Sequence, residues 1–128
     1  MRALRQDSDF DAKLIHTGQH YDANLSKIFF EDLEIPRPDV ELEVGSGTHA
    51  GQTAQIMTKF EEVVLREKPH AVLVVGDVNS TIACAMVAAK QHLPNEFGTK
   101  AGVRTRPVVI HVEAGLRSFD DDLSLIHI

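Results

Sequence analysis

The sequence has no tryptophan, one tyrosine and one cysteine among its 128 residues, and each scarcity closes off a class of protein. Cys84 has no second thiol with which to form an internal disulfide, and a lone cysteine supplies no cysteine-based zinc site, a usage that suits a reducing compartment. Basic residues are outnumbered, 13 against 19 acidic, and the net charge of -6 gives no electrostatic reason to approach a phosphate backbone. With no Lys/Arg cluster to make a local exception, nucleic acid is not an expected partner. No apolar run approaches the roughly 18 residues of a membrane span. The opening MRALRQDSDFDAK lacks the apolar stretch of a signal peptide. What is present, 43% hydrophobic residues, is enough for one globular domain that buries a core without disulfides or a structural metal, and the expected location is the cytoplasm.

Residues 12–17, AKLIHT, form a short apolar run stopped by Gly18, and Leu25, Ile28, Phe29 and Leu33 then fall at helical spacing. Pro36 and Pro38 break that helix, and residues 40–44 alternate apolar with acidic, the pattern of a half-exposed strand. Thr48 stands as a helix cap before Ala50, Ala54, Ile56, Met57, Phe60, Val63, Val64 and Leu65, so a long amphipathic helix is expected up to Lys68-Pro69. AVLVV at 71–75 and VVIHV at 108–112 are apolar on both faces and read as central parallel strands. Between them, TIACAMVAAKQH at 81–92 supplies small residues that let a helix lie close on a sheet, with Asn79 or Ser80 as its cap. Strands alternating with helices predict an α/β fold, a doubly wound, mostly parallel, Rossmann-like sheet with helices on both faces. The polar segment 95–106 is long for a connection and reads as an exposed excursion.

Ligands of open parallel sheets bind beyond the carboxyl ends of the strands. Three polar clusters follow the apolar runs: Thr17-Gly18-Gln19-His20-Tyr21-Asp22, Gly76-Asp77-Val78-Asn79-Ser80-Thr81, and His111-Val112-Glu113-Ala114-Gly115-Leu116-Arg117-Ser118. Asp77 precedes a helix N-terminus, where an anion is favoured; its alternative reading is a simple capping aspartate. Glu113 directly follows an apolar strand and needs a partner, Arg117 being the structural alternative to a catalytic role. Two carboxylates that approach each other supply an acid and a base together. His20, in the loop after Gly18, is a candidate for substrate contact or a solvated surface histidine. His111 is expected to hydrogen-bond a neighbour. His16, His49, His70 and His92 carry no functional case, and Cys84 reads as core. No metal is expected: neither the later Pro-Cys-x-x-Cys of zinc deaminases nor a His-Glu-x-x-His occurs. Gly45-Ser46-Gly47-Thr48 fits neither phosphate-loop pattern and reads as a turn.

Taken in order, the Gln19-His20 loop, VVGDVNST at 74–81 and HVEAGLRSFD at 111–120 resemble the non-hydrolysing UDP-N-acetylglucosamine 2-epimerase family, as does GSGTHAGQTAQIM at 45–57. The resemblance covers roughly residues 12–122. It implies two Rossmann-like domains in the GT-B arrangement with the sugar nucleotide in the cleft, this chain forming an incomplete N-terminal one. It also implies interconversion of UDP-GlcNAc and UDP-ManNAc by anti elimination of UDP and its re-addition, without a cofactor, in a homodimeric parent that serves cell-surface polysaccharide synthesis. By their motifs, Asp77 and Glu113 are implied catalytic residues, and His20, Asn79, Ser80 and Arg117 substrate contacts. Gln19 matches a loop that in some members contacts a regulatory UDP-GlcNAc. Asp22 and Gly51 stand where those members carry Gln and Arg, which argues against that regulation.

The departures from the family predict a truncated chain, inactive by itself. The family's first strand with its Gly-Thr-Arg-Pro-Glu loop, the Pro-Glu-Glu segment after HVEAGLRSFD and the second domain have no counterpart, and LSLIHI at 123–128 is expected to be an artefactual tail. A non-catalytic sugar-nucleotide binding module and a fragment of a GT-B glycosyltransferase are the alternative functions.

Overall fold

The structure is a computed structural model in which residues 2–18, 36–93 and 106–113 are described. The helix expected over 21–33, most of the 95–106 excursion and the 123–128 tail lie outside these. The chain divides into two compact units, Met1–Thr48 and His49–Ile128.

In the first unit, helix α1 (Arg2–Gln6), which the sequence reading did not foresee, precedes strands β1 (Ile15–His16) and β2 (Val40–Glu41). The strands pair in parallel, Ile15 with Val40 and His16 with Glu41. Backbone bonds extend the ladder beyond the formal strands: Leu42 N–H donates to His16 O at 2.8 Å and Val44 N–H to Thr17 O at 3.0 Å. The alternation expected of residues 40–44 is present, with Leu42 and Val44 buried and Glu41 and Glu43 exposed. Gly18 closes β1 at φ +76°, and a Cβ there would lie 3.0 Å from Val44 N, so both conformation and close approach require glycine. Asp39, just before β2, accepts the Leu14 N–H at 2.7 Å and pairs with Arg5, which ties α1 to the strands.

The second unit carries helix α2 (His49–Glu67), strand β3 (Ala71–Val75), helix α3 (Asn79–Lys90) and strand β4 (Val108–Val112). β3 and β4 are parallel neighbours in register from Ala71↔Val108 to Val75↔Val112, so β3-α3-β4 is a βαβ crossover with α3 on both strands and α2 along α3. The buried stripe of α2 is Gln52, Ile56, Phe60, Val63 and Val64. Ala50, Ala54 and Leu65, read as part of the apolar face, are exposed, because a stripe at i, i+4, i+8 spacing leaves them on its flanks. Lys68, at φ 47°, ends α2 in the left-handed region and Pro69 prevents continuation. α3 buries Thr81, Ala83, Cys84, Val87 and Ala88 against the sheet, small enough for close approach. Arg106 closes its far end, donating to Ala89 O at 3.3 Å and to His92 Nε2.

One expectation, the cap of α3, needs correction, and another, helices on both faces, falls partly outside the described residues. β3 alternates, with Val72 and Val74 buried and Leu73 and Val75 about half exposed, and Val108, Ile110 and Val112 are exposed with them. The register puts these five apolar residues on the face opposite α3, so the described helices cover one side of the strands and not both. The cap position of α3 is Val78, with no side-chain cap bond; Asn79 and Ser80 are already inside the helix, and the turn closes through Thr81 N–H to Val78 O at 2.9 Å. Among the described residues, no helix is long and apolar enough to cross a membrane.

Two outcomes follow from this packing. The Ile56 side chain is fully buried, so Ile56→Ala is expected to lower the unfolding free energy by about 2–5 kcal/mol in urea titrations. The Leu14 N–H first, and Arg5 beside it, lower the Asp39 pKa below 3.8, so the stability Asp39 contributes is present above that value and lost as pH falls through the folded pKa. The urea-midpoint gap between wild type and Asp39→Asn should therefore be widest near neutrality and close below about pH 4.

Candidate active site

Parallel register decides where the polar clusters emerge. Val75 and Val112 are partners at the carboxyl ends of β3 and β4, so Gly76-Asp77 and Glu113 leave the sheet at the same edge, from strands about 4.8 Å apart. Asp77 is half-buried and Glu113 exposed. This edge is also where α3 begins, placing Asp77 two residues ahead of the helix and Asn79 and Ser80 at its first two positions, both half-buried.

The turn after β3 is held from several directions. Gly76 takes φ +75°, which turns the chain off the strand line. Its N–H makes the last ladder bond to Val112 O at 3.2 Å, and its carbonyl lies 2.6 Å from His111 Nε2. Val75 O accepts from Thr81 Oγ1 at 2.9 Å, so α3 is stitched to the end of the strand that precedes it. Glu113 itself sits at φ 67°, a left-handed conformation that glycine tolerates and a larger side chain enters at a cost of about 1 kcal/mol or more. Such a residue ends β4 in a strained conformation at the edge where α3 begins. It also ends the alternation of β4, so Glu113 does not continue the face that carries His111.

Sequence reading passed over two residues that the structure joins to this edge. Asn79 Nδ2 donates to Gln52 Oε1 at 2.9 Å and lies 3.0 Å from His49 Nδ1. Gln52 is buried on α2, whereas His49 is the exposed first residue of that helix. The starts of α2 and α3 are thereby tied together, and both amide hydrogens of Asn79 are directed at protein acceptors. A bond between side chains 27 positions apart leaves no periodic signal; the only cue was a glutamine at a buried position of the helical stripe. Thr17 and Gly18 are described in the first unit, whereas Gln19, His20 and Arg117 lie outside the described residues. Gly45–Thr48 is exposed, and a side chain on either glycine would meet nothing within 4 Å, in keeping with a plain turn. Cys84 is no nucleophile, because burial pushes its thiol up to about 12.

A mostly parallel α/β fold with an acidic residue beyond each of two neighbouring strands places both acids at the edge where ligands of such sheets bind, and comparison with known proteins identifies the family. The family model for UDP-N-acetylglucosamine 2-epimerase matches residues 2–126, and the chain belongs to that family. It is 44% identical over 119 residues to a UDP-2,3-diacetamido-2,3-dideoxy-D-glucuronate 2-epimerase of Pseudomonas aeruginosa, covering 93% of this chain and 30% of that one. It is 44% identical over 123 residues to a UDP-N-acetylglucosamine 2-epimerase of Methanocaldococcus jannaschii, covering 96% of this chain and 30% of that one. The crystal structure of the M. jannaschii UDP-GlcNAc 2-epimerase in complex with UDP-GlcNAc and UDP superposes with a TM-score of 0.76 at 45% identity, over 94% of this chain and 29% of that one. The chain thus spans about 30% of the length of the curated relatives it matches. Its fold is that of the N-terminal half of their GT-B arrangement.

Two substitutions test the local geometry. If φ 67° strains Glu113, Glu113→Gly is expected to be no less stable than wild type in urea, and Glu113→Val, β-branched, to lose about 1 kcal/mol or more. Gln52→Leu leaves an Asn79 donor without its buried acceptor and should cost about 1–3 kcal/mol by the same measurement.

Proposed function

We propose that this chain carries the acid–base edge of a non-hydrolysing 2-epimerase acting on a UDP-linked 2-acetamido sugar, UDP-GlcNAc in the first instance. The observation that carries this reading is the emergence of Asp77 and Glu113 from in-register neighbouring strands of a chain that belongs to the epimerase family.

The chemistry asks for such a pair. The hydrogen at C2 of the sugar has no adjacent carbonyl to acidify it, so it becomes removable only as the bond from C1 to the UDP oxygen breaks and positive charge grows at C1. A base takes the C2 proton, the C2–H electron pair forms the C1–C2 double bond, and UDP leaves with the C1–O pair. Re-addition of UDP with a proton delivered to the opposite face of C2 gives the epimer, and no water is consumed. Removal on one face and delivery on the other require separate acid–base groups, for which carboxylates are suited. Asp77 and Glu113 act in these proton transfers. Asn79 through its carbonyl oxygen, Ser80, His20 and Arg117 contact the nucleotide sugar, and Gln19 belongs to the same loop as His20.

The P. aeruginosa relative supports a second substrate, UDP-2,3-diacetamido-2,3-dideoxy-D-glucuronate, at an identity equal to that of the M. jannaschii enzyme. The two sugars share the UDP at C1 and the acetamido group at C2 and differ at C3 and C6, so the proton transfers are common to both. The parent works in the cytoplasm as a homodimer, its second domain completing the cleft, and the isolated chain is inactive.

The test is to fuse this chain to the remainder of the M. jannaschii enzyme and offer each sugar nucleotide. Turnover is expected with one of them, falling by about 100-fold or more in Asp77→Asn and in Glu113→Gln. Full activity in both variants would contradict the assignment, and transfer of the sugar to an acceptor in place of epimerisation would make the protein a glycosyltransferase.

A further inference from the structure

We propose that His111 is a positioning residue that fixes Asp77 relative to Glu113, an inference that rests on the reading of these two carboxylates as the reacting pair. A backbone carbonyl only accepts, so the 2.6 Å contact between His111 Nε2 and Gly76 O requires the ring proton on Nε2. The Gly76 carbonyl and the Asp77 N–H belong to one planar peptide unit, and holding the oxygen holds the plane from which Asp77 departs. Gly76, at φ +75°, turns away after its N–H meets Val112 O, and with Glu113 at φ 67° the β4 backbone leaves the strand conformation at the same level. Among the described residues, a side chain of β4 makes the bond to that oxygen.

The location of that side chain gives the bond its consequence. His111 is the register partner of Val74, on the face that α3 covers, and it precedes Glu113 by two residues on one strand. One imidazole thus joins the backbone of one acid to the strand that delivers the other. Thr81 Oγ1 on Val75 O secures the preceding peptide plane from α3, so without His111 the Gly76–Asp77 plane keeps its N-terminal anchor and loses the one that the described residues place on its own oxygen. Misplacement of a reacting group by about 1 Å can cost on the order of 100-fold in rate, and here the misplaced group is a proton-transfer carboxylate and not a binding contact.

The experiment uses the fused enzyme described above, and ring 15N spectroscopy on this chain itself. His111→Phe is expected to lower kcat by about 10- to 100-fold with KM within about twofold. His111→Gln, whose amide nitrogen can donate at a similar reach, should recover most of the loss, which a merely space-filling role would not produce. In the wild-type chain at alkaline pH the His111 ring should carry its proton on Nε2 with Nδ1 bare. The proposal is overturned if His111→Phe turns over as fast as wild type while Asp77→Asn is inactive, if the Gln variant is as impaired as the Phe variant, or if the proton resides on Nδ1. An Asp77→Asn variant with full activity instead removes the acid–base reading beneath it. Should His111→Phe fail to fold, the ring tautomer and the Gln variant still decide.

Discussion

Two parallel strands in register oblige whatever follows them to emerge together. Because Val75 lies against Val112, the chain leaves β3 and β4 at the same edge, with Asp77 two residues and Glu113 one residue beyond that pair. The crossover helix α3 then starts at the same edge. Its small buried residues let it lie close, and Thr81 returns a hydroxyl to the last carbonyl of the strand. Positioning is thus a property of rigid elements, which is the condition under which side chains can be held closely enough for proton transfer.

Strain and support meet at this edge. Gly76 and Glu113 both take positive φ at the ends of adjacent strands, one at no steric cost and the other against its side chain. Around them the bonds cross between elements: His111 to Gly76, Gln52 and His49 to Asn79. A non-glycine residue persists in a left-handed conformation when its surroundings over-determine it, and the ladder ending at Gly76 N–H and Val112 O supplies part of that determination.

The elements legible in the sequence were those with a repeating signal. AVLVV and VVIHV are β-branched runs between turn residues, and the i, i+4 recurrence of Ile56, Phe60 and Val64 marks α2. From these, parallel pairing and a shared carboxyl-end edge followed by the rule that crossovers join parallel neighbours. What was misread depended on neighbours that a sequence does not display. Asn79 is a residue type that caps helices, yet the cap falls one residue earlier at Val78, and the asparagine side chain bonds to Gln52. The Arg5–Asp39 tie that holds α1 spans 34 positions and has no periodic trace.

On the function proposed for it, the chemistry lies at C1 and C2 of a UDP-sugar, and the shared edge of β3 and β4 is where this chain would supply the proton transfers. Hydrogen exchange at C2 is the most direct readout of that claim, since it reports the proton itself and not the overall turnover. With the fused enzyme in D2O, the account predicts one deuterium at C2 of the epimerised sugar nucleotide and no exchange at C2 when Asp77 and Glu113 are both replaced by their amides. Product that retains protium at C2, or undiminished exchange in the doubly substituted enzyme, would contradict it.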